Sequence, residues 1–133
     1  EHIVISDKSM FEMVRKLVEQ PANPERKGEI KTTDQEIIGM MSDRSKKAQA
    51  PESGRPKGVY ANTKDALADF KKQRKEITEY IRNTPENLRD HITDSPGGPV
   101  DAHHFLLYIA AHGARHTQQI EEVKASPGFP AGK

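Results

Sequence analysis

Cysteine is absent from the chain, which removes disulfides, thiolate metal sites and cysteine nucleophiles together. Any metal must then be held by histidine, carboxylate or water. Tryptophan is absent too and aromatics make up only 5%, so the chain offers no stacking platform for single-stranded nucleic acid. Neither sign of charge dominates: 21 basic and 20 acidic residues give a formal charge of +1. That balance provides no general attraction to DNA or to an anionic membrane. No apolar run approaches membrane-spanning length, and Glu1-His2-Ile3-Val4-Ile5-Ser6 is neither a signal peptide nor a transit peptide. A cytoplasmic protein with no nucleic-acid and no membrane partner is the default expectation. The chain opens without methionine and inside an amphipathic pattern, so a preceding segment is expected.

A length of 133 residues suits one domain, 1–133, with a real core. The apolar fraction of 33% and the mean hydropathy of -0.85 favour thin helical layers over a thick sandwich. Apolar residues at helical spacing define the first segment, residues 2 to 19, where Ile3, Met10, Met13, Val14 and Leu17 share one side and Pro21 ends the helix. Asp7 falls inside that apolar arc. The expectation is partial exposure near a bundle end, because lone carboxylates are rarely buried; the sharper alternative gives Asp7 a supporting or acid/base role in a site.

From Pro21 to Ala61 the pattern is mostly irregular. Thr33-Asp34-Gln35-Glu36 has capping-box spacing and predicts a short helix through Met41, and Ala50 to Gly58 is a loop rich in proline and glycine. A connection this long suggests a functional loop or a crossover. Asn62 caps a helix over about Thr63 to Arg82 with Leu67, Phe70, Ile77, Tyr80 and Ile81 on its apolar stripe. Its charged face, with Lys71, Lys72, Arg74, Lys75 and Glu76, is expected to be solvated, and so is the cluster of Arg44, Lys46 and Lys47. Thr84-Pro85-Glu86 predicts a helix start leading to a short turn through Ile92. Asp101 caps the last helix, which Ser126-Pro127-Gly128 stops. No strand-like alternation appears, so the fold class is all-α.

The last helix carries the chemistry. Ala102, Phe105, Ile109, His112, His116, Ile120 and Val123 follow one another in steps of three and four, the repeat of a stripe that faces a core. His112 and His116 are one turn apart, so their imidazoles project side by side and could share a metal ion. An apolar residue would suit either seat better in a helix that only packs, because a buried imidazole needs partners for its ring nitrogens. The residue after His112 is Gly113, where the zincin pattern needs glutamate, so a metalloprotease is excluded. A two-imidazole site needs a third ligand, and His2 on the first helical segment is available. Tyr108, Arg115 and Gln119 flank the pair and are candidates to support it. His91, His103 and His104 are expected in surface or capping roles, with His91 also able to sit near the mouth of the site. The plain alternative is two hydrogen-bonded core histidines in an ordinary bundle.

An early-helix histidine, a long crossover and a His-x-x-x-His pair in the last helix together resemble the DinB/YfiT-like superfamily of metal-binding four-helix bundles. The tail carries the likeness most closely, through Leu88-Arg89-Asp90-His91, Asp101-Ala102-His103-His104-Phe105 and Ala111-His112-Gly113-Ala114-Arg115-His116-Thr117-Gln118-Gln119-Ile120. Glu1-His2-Ile3-Val4 matches the early-histidine motif, and the stretch from Pro21 to Ala61 matches only loosely. The resemblance implies a DinB-like four-helix bundle whose first helix lies upstream of this chain, with His2, His112 and His116 as metal ligands. Imidazole suits zinc, nickel, iron or copper, so the divalent metal is not chosen by the ligands. Members of the family include thiol-dependent S-transferases that use low-molecular-weight thiols and maleylpyruvate isomerases. The implied function is a metal-dependent enzyme of S-transferase or hydrolase type acting on a small electrophile. The alternative is a metal-binding or stress-response module without turnover that acts through protein partners. A homodimer is expected, because a bundle lacking a helix exposes an apolar stripe.

Overall fold

The structure, a computed structural model, describes residues 1–47 and 49–130. Four α-helices dominate it: α1 over His2–Val18, α2 over Asp34–Ser42, α3 over Thr63–Asn83 and α4 over Ala102–Lys124. The fold is all-α, as expected, with α4 at its centre: α1 and α2 both pack against α4, and α3 lies against α1. No helix among the described residues is long and apolar enough to cross a membrane.

Local chemistry sets the helix ends. Thr33 Oγ1 accepts from the Glu36 backbone N–H at 3.2 Å while Glu36 Oε2 accepts from Thr33 N–H at 2.8 Å, a reciprocal cap that starts α2. Asn62 Oδ1 accepts from Asp65 N–H at 3.0 Å and starts α3. At the head of α4, Asp101 Oδ1 accepts from His104 N–H at 2.8 Å, and His104 Nδ1 reaches back to Asp101 N–H at 3.4 Å. His104 is thus a capping residue, as its first-turn position suggested.

The core occupies one end of the bundle. Val14 and Leu17 of α1, Ile77 of α3 and Ala102, Phe105, Leu106 and Ile109 of α4 pack with Leu88 and Val100 from the segment between α3 and α4. Beyond Ile109 the shared surface of α1 and α4 becomes polar. The last turns of α4 run past the core, leaving Ile120 and Val123 exposed, so the apolar stripe read from the sequence is longer than the surface that covers it. Met13, Leu67 and Ile81 are exposed as well.

Three expectations are corrected in the segment between α3 and α4 and nearby. Pro85 does not open a helix; a single 3-10 turn over Leu88–Asp90 starts at Asn87, whose side chain accepts from Arg89 N–H. A two-stranded antiparallel hairpin is present, β1 over Ile92–Thr93 and β2 over Val100–Asp101, with Ile92 opposite Asp101. Strands of two residues are too short for alternation to show. Gly98 closes the turn at a φ of +108, a conformation that glycine adopts without strain. His91 is buried, with Nε2 3.5 Å from Glu86 Oε2, and takes neither a surface place nor one at the cavity described below.

Candidate metal centre

His2 stands in the first turn of α1, and His112 and His116 one turn apart on α4. The α1–α4 contact brings the three together although His2 and His112 are 110 residues apart. His112 Nε2 lies 3.2 Å from His2 Nε2 and 2.9 Å from His116 Nε2. The rings meet edge to face, with interplanar angles of 81°, 82° and 89°, and these distances gather their Nε2 atoms in one place.

The opposite ring nitrogens decide what that point offers. His2 Nδ1 is 2.6 Å from the Gly54 carbonyl. A carbonyl only accepts, so Nδ1 carries the proton and Nε2 is left with a lone pair. His112 Nδ1 donates to Asp7 Oδ1 at 3.1 Å, and His116 Nδ1 donates to Gln119 Oε1. With every Nδ1 proton turned outward the neutral rings carry their lone pairs on Nε2, and His112 Nε2 lies at hydrogen-bond distance from the other two. That arrangement is repulsive unless a proton, a water or a metal ion stands between the rings. Three nitrogens bound at 2.0–2.1 Å to one tetrahedral ion stand about 3.3 Å apart, close to the separations found here. One ligand atom from each ring lies within 4.8 Å of the others, so the triad is able to hold a metal ion. Burial, and then neighbouring His112, push the His116 imidazole below its ordinary 6.5, which favours the neutral, ligating form.

Each ring is oriented by a different part of the chain. Gly54 presses its backbone on His2: a Cβ there would meet Ser6 Oγ at 3.2 Å and the His2 ring at 3.6 Å. The long connection between α2 and α3 therefore shapes the site directly. Asp7 is fully buried, which corrects the expectation of partial exposure. Its burial is offset by Arg74 of α3, whose Nη2 donates to Asp7 Oδ2 at 2.7 Å. Arg74 in turn departs from the solvated face expected for its charged run.

The remaining candidates divide. Gln119 touches His116 as described. Tyr108 contacts neither ring by hydrogen bond but lines the cavity above the cluster, and burial raises its phenol pKa, so it stays a protonated donor. Arg115 does not bond the histidines. It donates to the carbonyls of Met41 at 3.1 Å, Asp43 at 2.7 Å and Lys46 at 2.7 Å, clasping the end of α2 to α4. Arg44, expected in solvent, forks onto Glu122 at 3.0 and 2.8 Å. Sequence reasoning missed Arg74 and Gly54; the one signal for Arg74 was an unexplained glycine, Gly113, inside α4.

A cavity of about 610 Å³ opens over the cluster, with His2, His112 and His116 at its base. Ile5, Met10, Met40, Met41 and Tyr108 form apolar walls, and Ser6, Lys46 and Gln49 add polar groups.

The family model described as the DinB superfamily matches residues 1–120. No curated protein and no solved structure matches the chain. The matched span holds all three converging histidines and every helix up to the last turn of α4. Matched from its first residue to the far side of the histidine pair, the chain belongs to the DinB superfamily.

Proposed function

We propose that His2, His112 and His116 hold a divalent metal ion and that the protein is a metal-dependent enzyme acting on a small, largely apolar electrophile. The observation that carries this reading is that all three Nδ1 atoms face acceptors outside the cluster, which turns the three Nε2 lone pairs toward one shared point, as a metal ion requires. Three protein ligands leave coordination positions open, the pattern of a catalytic rather than a closed structural site. An ion in that setting acidifies a thiol or water bound to it and so supplies a nucleophile at neutral pH.

The chain's own residues supply the rest. The cavity volume of about 610 Å³ falls within the range of ligand pockets, and walls of Met10, Met40, Met41 and Ile5 select an apolar body. Methionine adapts its shape to varied partners, which suits a site that accepts more than one electrophile. The protonated Tyr108 hydroxyl is a donor for a developing negative charge, and Lys46 at the rim offers a cation to an acidic thiol or substrate. A module without turnover would have this face plugged by side chains; the open cavity supports the enzyme reading.

The test has two stages. Elemental analysis of untagged protein is expected to show one divalent metal per chain, lost in His2→Ala, His112→Ala and His116→Ala. The loaded protein is then assayed with a panel of low-molecular-weight thiols against an aryl halide, an epoxide and an activated ester. Metal without turnover on any pair would favour the binding module.

A further inference from the structure

In α3 the side chain of Arg74 turns inward from a charged face. Its Nη2 donates to Asp7 Oδ2 at 2.7 Å and to the Ile109 carbonyl at 3.1 Å, and its guanidinium lies over the Phe70 ring at 5.0 Å. The other oxygen of Asp7 accepts from His112 Nδ1. One carboxylate therefore joins three helices: α1 carries it, α3 pins it and α4 presents the ring that it orients.

Gly113 makes room for this arrangement. A Cβ built on Gly113 would lie 2.6 Å from Arg74 Nη2, so any other residue would force the guanidinium to shift from this seat. Glycine weakens a helix interior relative to alanine, and here the space it leaves next to His112 is filled by a cation.

We infer that Arg74, seated in the slot left by Gly113, is the positioning residue of the histidine cluster: it fixes the Asp7 carboxylate and through it the His112 ring, with Nε2 aimed at His2 and His116. The inference rests on the reading of that cluster as a metal site. Without the guanidinium, a fully buried carboxylate has only an imidazole to offset its lost hydration. Asp7 then rotates away and His112 Nδ1 loses its fixed acceptor. Partners of this kind typically change metal affinity about 10- to 100-fold.

The full chain is compared as parent, Gly113→Ala, Arg74→Met and the double variant. Zinc affinity is measured by competition with a chromophoric chelator. The His112 tautomer is read in the zinc-free protein by proton–nitrogen correlation NMR. Each single variant is expected to lower zinc affinity about 10- to 100-fold and to mix the His112 tautomers. The double variant is expected to be no weaker than Arg74→Met, because both changes remove one contact. Parent-like affinity and tautomer in Gly113→Ala, or losses that add in the double variant, would overturn the inference. Gly113→Ala keeps every polar group and carries the test alone if Arg74→Met fails to fold. A parent that binds none of zinc, nickel, iron or copper refutes the metal reading instead; the tautomer then decides whether Arg74 positions His112, supporting it if lost in Gly113→Ala and sinking it if kept.

Discussion

Asp7 and His112 are 105 residues apart in the chain, and the carboxylate meets the ring Nδ1 at 3.1 Å where α1 crosses α4. The contact is closed to solvent on the Asp7 side, and the second oxygen is held by Arg74. Asp7→Asn keeps the shape and removes the charge, leaving Arg74 without its counterion. Breaking a buried pair from one side is expected to destabilise the fold by about 3 kcal/mol. Urea unfolding of the metal-free protein measures this, and a change below the error of the midpoint would show that the pair contributes nothing.

Metal removal has its own signature. A ligand that binds only the folded chain stabilises it by about 4 kcal/mol when present at a thousand times its dissociation constant. Zinc is therefore expected to raise the melting temperature of the stripped parent by roughly 10–20 °C, and chelation to reverse the rise. In His116→Ala the shift is expected to disappear. Calorimetry with and without zinc gives both numbers.

Gly54 tests the role of the α2–α3 connection. Gly54→Val forces side-chain atoms against Ser6 Oγ and the His2 ring, where a Cβ alone already stands at 3.2 and 3.6 Å. The backbone there is not in the left-handed region, so the fold is expected to survive. Zinc affinity is expected to fall by roughly tenfold through the displaced His2. An unchanged chelator titration would mean that His2 is oriented by something other than this carbonyl.

Asp34 links stability to pH at the other end of the molecule. Arg89 forks onto Asp34 at 2.9 and 2.6 Å and lowers its pKa below the ordinary 3.8. A carboxyl with a depressed folded pKa stabilises fully above its unfolded value, and that stabilisation is lost as pH falls through the folded value. Asp34→Asn is thus expected to unfold at lower urea than the parent near neutral pH. The gap should close below about pH 3.8, the ordinary value for the group. A gap that persists in acid would assign the effect to packing instead.

The helices were legible because their ends are written in local chemistry. Thr33, Asn62 and Asp101 announce three starts, and the start of α4 lies within a residue of its expected place. His112 and His116 were legible as two polar seats on an apolar stripe, whereas the sequence only allowed His2 as a third ligand, the family likeness implied it, and its placement needed the crossing of α1 over α4. Asp7 and Arg74 could not be read correctly one at a time. Asp7 stood out inside an apolar arc with two roles open to it and Arg74 looked like a solvent residue, and only the packing of three helices puts them together. Arg115 was misread for the opposite reason: it is next to the right residue in sequence, but its guanidinium turns to the carbonyls that end α2. The hairpin left no periodic trace in two-residue strands.

His2 and His112 lie 110 positions apart, so the cluster closes nearly the whole chain into a ring. A chain with no cysteine cannot close that ring covalently. An ion shared by these two imidazoles would act as a reversible staple, made only when the first and last helices meet and released when they part. The folding of the last helix and the capture of the first would then become one cooperative event, set by the metal available when the chain collapses.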